Sequence, residues 1–271
     1  MKPFLSRPGP YLVAHRGGAR LWPENTLAAF DGAARLGADA IELDARLTAD
    51  GEVVVFHDET TERVSGEPGS VEVRTLAELR RLDAGRTFTP DGGRTFPWRG
   101  RGLAVPALAE VLARYPGTLV NVEAKSPAPA LAEALVRVVR RAGRVAEVCL
   151  GSEHDEQGER LRALLPEACH FLPAGAATCH VLAAHAGGGV TGCPEGWDVA
   201  DLPLRTEDGM TVVDALTVAH FRRLGIPVHV WTVDEEADMR ALLALGVDGI
   251  MSDRPDLLAR VMGRAAAPPG P

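Results

Sequence analysis

Two short stretches concentrate chemistry in this chain. In Ile41-Glu42-Leu43-Asp44, apolar and acidic residues alternate. A β-strand points successive side chains to opposite faces, so Glu42 and Asp44 share one face and Ile41 and Leu43 the other. Asn121-Val122-Glu123-Ala124-Lys125 repeats the pattern, with Asn121, Glu123 and Lys125 on one face. Carboxylates turned into a protein interior are costly unless a cation neutralises them. One hard divalent ion with oxygen ligands, Mg2+ or Ca2+, would satisfy Glu42, Asp44 and Glu123 together. A salt bridge to a neighbouring acid is the simpler account of Lys125 alone; beside Glu42 and Asp44, a role near a phosphate oxygen outweighs it.

Two histidines fall where they can join these acids. The run 11–15 reads as a strand ending at His15, followed by Arg16-Gly17-Gly18. Arg16 offers a fork of donors suited to phosphate oxygens, and the glycines let backbone approach a ligand. Thr48-Ala49-Asp50-Gly51 is a turn signal directly after the acidic strand. The run 52–57 follows too closely for a parallel crossover, so it returns as a hairpin. A turn at 48–51 pairs Leu47 with Glu52 and Ala45 with Val54, and brings His57 opposite Glu42. Two imidazoles ending strands beside carboxylates suit an acid/base pair.

The elements that must position these residues alternate regularly. Strand-like runs occur at 11–15, 39–44, 119–124, 146–150, 169–172, 198–202, 227–232 and 248–252. Helix-like stretches occur at 25–36, 107–114, 128–142, 156–164, 214–224, 234–244 and 255–262. Alternation of this kind builds a parallel sheet. Eight strands in a chain of 271 residues predict an α/β fold, a (β/α)8 TIM barrel, whose active sites lie at the C-terminal ends of the strands. One barrel domain is expected over 1–264, with residues 58–105 inserted over its mouth after the hairpin at the second strand. Residues 265–271 are expected to form a disordered tail. Trp231, in parity with His229, faces inward as a pocket wall or as core. Asn25 is the expected N-cap of the first helix.

The net charge of −8 argues against general nucleic-acid or anionic-membrane binding, since either favours a basic face. No stretch approaches ~20 consecutive apolar residues, so no integral membrane segment is expected. Cys149, Cys169, Cys179 and Cys193 form no CxxC pair. Without a leader-like N-terminal run, reduced buried thiols and a cytoplasmic location are expected. Cys169-His170 and Cys179-His180 match no structural zinc spacing. Gly187-Gly188-Gly189 reads as a flexible loop without a phosphate-loop signature. His154, His185 and His220 are expected at the surface.

In order along the chain stand His15-Arg16-Gly17, Pro23-Glu24-Asn25-Thr26, Glu42-Leu43-Asp44, the turn at 48–51, His57-Asp58, Glu123-Ala124-Lys125, Trp231-Thr232-Val233 and Gly246-Val247-Asp248-Gly249-Ile250. This ordered set resembles the glycerophosphodiester phosphodiesterases. The resemblance implies a (β/α)8 barrel that converts a small glycerophosphodiester to an alcohol and glycerol 3-phosphate. It also implies Glu42, Asp44 and Glu123 as metal ligands, His15 and His57 as acid and base, and Arg16 and Lys125 near the phosphate, and it favours Glu24 as a residue that orders the site. His15 as base and His57 as acid is the preferred order, with the reverse open, as is the choice between water and the substrate 2-hydroxyl as nucleophile. Two positions depart from the family pattern. Gly151-Ser152-Glu153-His154 stands where a Ser-Phe pair is common, and Asp234 where Asn is common. Both touch the leaving-alcohol side of the pocket. A lysophospholipase D-like enzyme and a non-catalytic phosphodiester-binding barrel are the alternatives.

Overall fold

The computed structural model describes residues 2–187 and 191–264. The tail expected at 265–271, and Gly188 and Gly189, lie outside the described residues. The strands are β1 (Tyr11–Ala14), β2 (Ala40–Leu47), β3 (Val53–Val55), β4 (Leu119–Ala124), β5 (Val148–Gly151), β6 (Cys169–His170), β7 (Ala200–Pro203), β8 (Val228–Trp231) and β9 (Gly249–Ser252). The helices are α1 (Leu27–Arg35), α2 (Glu62–Ser65), α3 (Leu76–Leu79), α4 (Leu108–Arg114), α5 (Pro129–Ala142), α6 (Asp155–Leu164), α7 (Ala174–His185), α8 (Ala215–Leu224), α9 (Glu236–Leu245) and α10 (Pro255–Val261).

Eight parallel strands follow the order β6-β5-β4-β2-β1-β9-β8-β7, with β3 added antiparallel to β2. A parallel bridge between Phe171 and Val199 joins the two ends of that order. Leu172 N donates to Val199 O (3.1 Å) and Asp198 N to His170 O (3.0 Å) across the same seam. The sheet thus curls into a barrel. Strand alternation divides its side chains as the pleat requires. Ile41, Leu43, Ala45, Val122 and Ala124 pack outward with Phe30, Leu108 and Leu135. Tyr11, Val13, Ala40, Leu119, Cys149, Cys169 and Met251 form a cluster with Phe4 and Leu5 of an N-terminal 3-10 turn. The register sets Glu42 beside Asn121 and Asp44 beside Glu123, which brings the acids level on adjacent strands.

The hairpin differs from the expected pairing by one residue. Ala45 pairs with Val55, Arg46 with Val54 and Leu47 with Val53. The turn spans 48–52: Thr48 N donates to Glu52 O (2.9 Å), and the Thr48 hydroxyl accepts from Glu52 N (2.9 Å) while donating to Asp50 (2.6 Å). A one-residue slip exchanges the faces of a strand. Val53 and Val55 therefore join the outer barrel core, while Val54 and Phe56 pack with Val64, Val71, Leu79, Leu82 and Val105. Glu42 does not lie opposite His57; the pairing ends where Phe56 N donates to Asp44 O (2.9 Å).

Helix α7 was not expected. Its sequence, AGAATCHVLAAH, carries small and apolar residues all round and lacks the apolar stripe that marks a helix. It also overturns the reading of four reduced thiols. Cys179 on α7 is disulfide-bonded to Cys193, 14 residues on, whereas Cys149 and Cys169 are free and buried. The pairing depends on the chain doubling back beside α7, which spacing alone does not encode. In a chain-entropy account, closing a loop of this size is worth about 3 kcal/mol. Chain denatured without reductant should therefore release two titratable thiols, and four after reduction. Four thiols before reduction would show that the bond does not form.

Candidate active site

The carboxylates converge at the C-terminal ends of β2 and β4. Glu42, Asp44 and Glu123 each offer an oxygen, all within 4.8 Å of one another. Glu42 and Asp44 are 5% and 1% exposed. Burial, then the charge of Asp44, pushes the Glu42 carboxyl up to about 8. Burial also raises Glu123. For Asp44 burial acts upward too, but the charges of Arg16, His57 and Lys125 hold it below the ordinary carboxylate range. Lys125 Nζ lies 3.0 Å from Glu123 Oε1 and 3.8 Å from Asp44 Oδ1. Two carboxylates here resist ionising while three oxygens converge, so the donor set fits a divalent cation.

A tight turn after β1 delivers the basic side. Arg16 has φ 49, in the left-handed region. Its N donates to Glu42 Oε2 (2.8 Å), its Nη1 to Glu24 Oε1 (3.1 Å), and its Nε lies 3.2 Å from Asp44 Oδ2. Gly17, at φ 84, packs so closely on α1 that a Cβ there would lie 2.7 Å from the Ala29 Cβ. Asn25 is also left-handed, at φ 57. It does not cap α1. Thr26 does, accepting from Ala29 N (3.2 Å). Asn25 instead donates from Nδ2 to Asp44 Oδ2 (2.8 Å) and accepts from Asp44 N (3.3 Å). Two non-glycine residues in this conformation mark local strain sustained by the surroundings.

Each histidine leans on its own carboxylate. His15 Nδ1 is 2.7 Å from Asp253 Oδ1, and its Nε2 is 3.9 Å from Glu42 Oε2. Burial depresses the imidazole, but the Glu42 charge and the Asp253 hydrogen bond outweigh it and raise its pKa to about 9. Asp253 is itself oriented by Asp234, whose Oδ1 accepts from Asp253 N (2.8 Å) and from the Ser252 hydroxyl (3.0 Å). His57 Nδ1 is 2.6 Å from Asp58 Oδ1, and its carbonyl accepts from Arg46 Nε (2.8 Å). Burial lowers the His57 pKa, and the nearby Asp44 charge does not reverse it. Burial would raise Asp58, but hydrogen bonds from Arg63 and His57 hold it at about 2. Arg63, on α2, donates to Asp58 (2.6 Å) and twice to Glu24 (2.7 Å). Without a bound cation, this electrostatic frame at neutral pH favours a protonated His15 and a neutral His57.

Trp231 ends β8, 41% exposed. His229, of the same parity, is buried with Nδ1 3.2 Å from Asp201 Oδ1. Sequence reasoning missed Asp253, Asp234 as its anchor, and Arg63. Asp253 directly follows β9 at the same end of the barrel as His15 and Glu42, which is the one local sign it carries. Arg63 sits in a stretch without regular patterning and announces nothing.

A sequence model of the Glycerophosphoryl diester phosphodiesterase family matches residues 15–162 and 196–257. A glycerophosphodiester phosphodiesterase of Caldanaerobacter subterraneus is 33% identical over 262 residues, covering 93% of this chain and 97% of that protein. The solved structure of a putative glycerophosphoryl diester phosphodiesterase from Silicibacter pomeroyi superposes with TM-score 0.78 at 28% identity, covering 98% of this chain and 100% of that one. The glycerophosphodiester phosphodiesterase of Agrobacterium tumefaciens does so with TM-score 0.73 at 30% identity, covering 92% and 98%.

In metal-free protein, Asp253→Asn removes the anionic partner of His15 Nδ1. The His15 pKa should then fall from about 9 by about 1 unit or more, read by NMR titration of the ring. An unmoved titration would detach Asp253 from any hold on His15.

Proposed function

The chain belongs to the glycerophosphoryl diester phosphodiesterase family, and from that premise we propose that it hydrolyses glycerophosphodiesters to an alcohol and glycerol 3-phosphate with the help of one divalent cation, Mg2+ or Ca2+. The observation that carries this reading is the carboxylate triad, two members buried and Glu123 partly so, flanked by two imidazoles, each oriented by its own carboxylate.

Glu42, Asp44 and Glu123 would hold the cation, which when bound supplies charge neutralisation at a phosphoryl oxygen. Arg16 and Lys125 donate to the remaining phosphoryl oxygens, where negative charge builds in the transition state. His57, kept neutral by burial, takes the proton of the nucleophile: either water, which gives glycerol 3-phosphate directly, or the substrate 2-hydroxyl, which gives a cyclic phosphate that water then opens. His15, whose Nδ1 is hydrogen-bonded to Asp253, gives a proton to the departing alkoxide. Trp231 walls the pocket beside the glycerol. Glu24 orders Arg16 on one side and Arg63 on the other. We read residues 1–264 as one domain whose segment 58–105 lies over the barrel mouth; the contacts of Arg63 with Glu24 and Asp58 support that placement. Among the described residues no helix is long and apolar enough to cross a membrane. The Cys179–Cys193 bond favours an oxidising compartment over the cytoplasm expected from sequence.

His15→Ala and His57→Ala should each lower kcat by about 10²- to 10⁴-fold. His57 works unprotonated, so its protonation limits the rate on the acid side; His15 works protonated, so its deprotonation limits the alkaline side. Each variant should lose its own limb of the pH–rate profile, and near wild-type kcat in both would remove the acid/base assignment. Separately, excess chelator should abolish turnover of glycerophosphocholine, with Mg2+ or Ca2+ restoring it. Full activity in chelator would leave the three carboxylates without their proposed role.

A further inference from the structure

Residues 86–101, RTFTPDGGRTFPWRGR, carry four arginines against one aspartate in a chain of net charge −8. Some arginines elsewhere meet carboxylates, as Arg63, Arg80, Arg114 and Arg254 do, and others do not; what marks this lobe is that four without such a partner lie together. Arg86, Arg94, Arg99 and Arg101 are exposed, and among the described residues none of their guanidinium groups has a carboxylate oxygen within 4.0 Å. Asp91 offsets one of the four charges and is held within its own turn by Thr95 N (2.9 Å), Arg94 N (3.0 Å) and the Thr95 hydroxyl (2.7 Å), so it pairs with none of the guanidinium groups and the lobe stays net positive. Arg99 lies over the Phe96 ring at 3.8 Å and Arg101 over Trp98 at 5.6 Å. At Gly92, Gly93, Gly100 and Gly102 an added Cβ would meet no atom within 4 Å, so these turns project into solvent. Trp98 packs beside Trp22 and Leu21 of the loop between β1 and α1. That loop begins at His15, which puts the lobe at the catalytic end of the barrel.

We propose that this lobe docks the protein on an anionic phospholipid bilayer, with the barrel mouth facing the lipid. A guanidinium held over an aromatic ring is presented outward in the headgroup layer, where arginine meets lipid phosphate. Single-stranded nucleic acid wants a basic groove with free aromatic faces for its bases; this lobe projects, and the Phe96 face is covered by its own arginine. A phosphodiester in the active site, with one negative charge, has Arg16 and Lys125 and needs no further four. The acidic remainder of the surface is repelled by the same bilayer, which orients the docked protein. Near an anionic surface each arginine contributes roughly 5-fold in partition coefficient, so the binding is reversible and salt-sensitive.

The test is co-sedimentation of the full chain with vesicles of phosphatidylcholine, alone or mixed with phosphatidylglycerol. Binding should require phosphatidylglycerol and disappear at about 1 M salt, where the Debye length is about 3 Å. Arg94→Gln/Arg101→Gln should lower partitioning about 25-fold while turnover of soluble glycerophosphocholine stays unchanged. That second readout separates failure of docking from failure of the catalytic reading. No binding at low salt, equal binding to phosphatidylcholine alone, or an unaffected double variant would overturn the proposal. Displacement from the vesicles by single-stranded RNA at matched charge would overturn it in favour of a nucleic-acid partner.

Discussion

Three carboxylates share a space less than 5 Å across, and most of the surrounding structure answers to the repulsion this creates. Strand register sets the acids level, so their proximity cannot be relaxed without breaking the sheet. Relief has to come from positive charge. Arg16 and Lys125 reach Asp44 from two sides, and Asn25 adds a hydrogen bond to the same carboxylate. The left-handed backbones of Arg16 and Asn25 are what this arrangement costs locally, and conformations of that kind persist only where the neighbours overdetermine them. Gly17 closes the turn because nothing larger fits against α1.

The same constraint reaches outward through the histidines. Glu42 lies beside His15 and Asp253 behind it, so the ring shares its proton with a carboxyl that resists ionising while Asp253 hydrogen-bonds its Nδ1. His57 faces Asp44 as well, yet its burial and the positive charge of Arg16 keep it toward the neutral form. Two imidazoles beside one acidic cluster thereby differ in protonation, which general acid and base roles require of a pair. The chain Arg16–Glu24–Arg63–Asp58 ties the second histidine to the helix α2. Arg63 is about half exposed, so this link contributes more to position than to stability.

Deeper in the barrel the interior stays partly polar. Asn121 donates to Asp201 (2.7 Å) and His229 lies 3.2 Å from the same carboxylate. Gly249 makes this possible, since a Cβ there would come within 2.5 Å of the His229 ring. This layer occupies the barrel axis below the acids.

The eight barrel strands and the inward phase of Glu42, Asp44 and Glu123 were legible in the sequence because they rest on local periodicity. Side chains alternate every two residues whatever the distant chain does, and a run such as Ile41-Glu42-Leu43-Asp44 carries its own geometry. His15, Arg16 and Lys125 were legible for the same reason, each sitting at or just past the end of such a run. Tertiary structure alone decided the hairpin register, which turned on the Thr48 hydroxyl closing a five-residue turn. It alone formed α7 from an unpatterned stretch, joined Cys179 to Cys193, turned Asn25 from the expected cap to Asp44, and set Asp253 behind His15. These depend on which distant segments meet. The protonation of the two histidines belongs with them, because a pKa responds to burial and to every neighbouring charge in space, and the chain brings those neighbours from positions as far apart as 15 and 253.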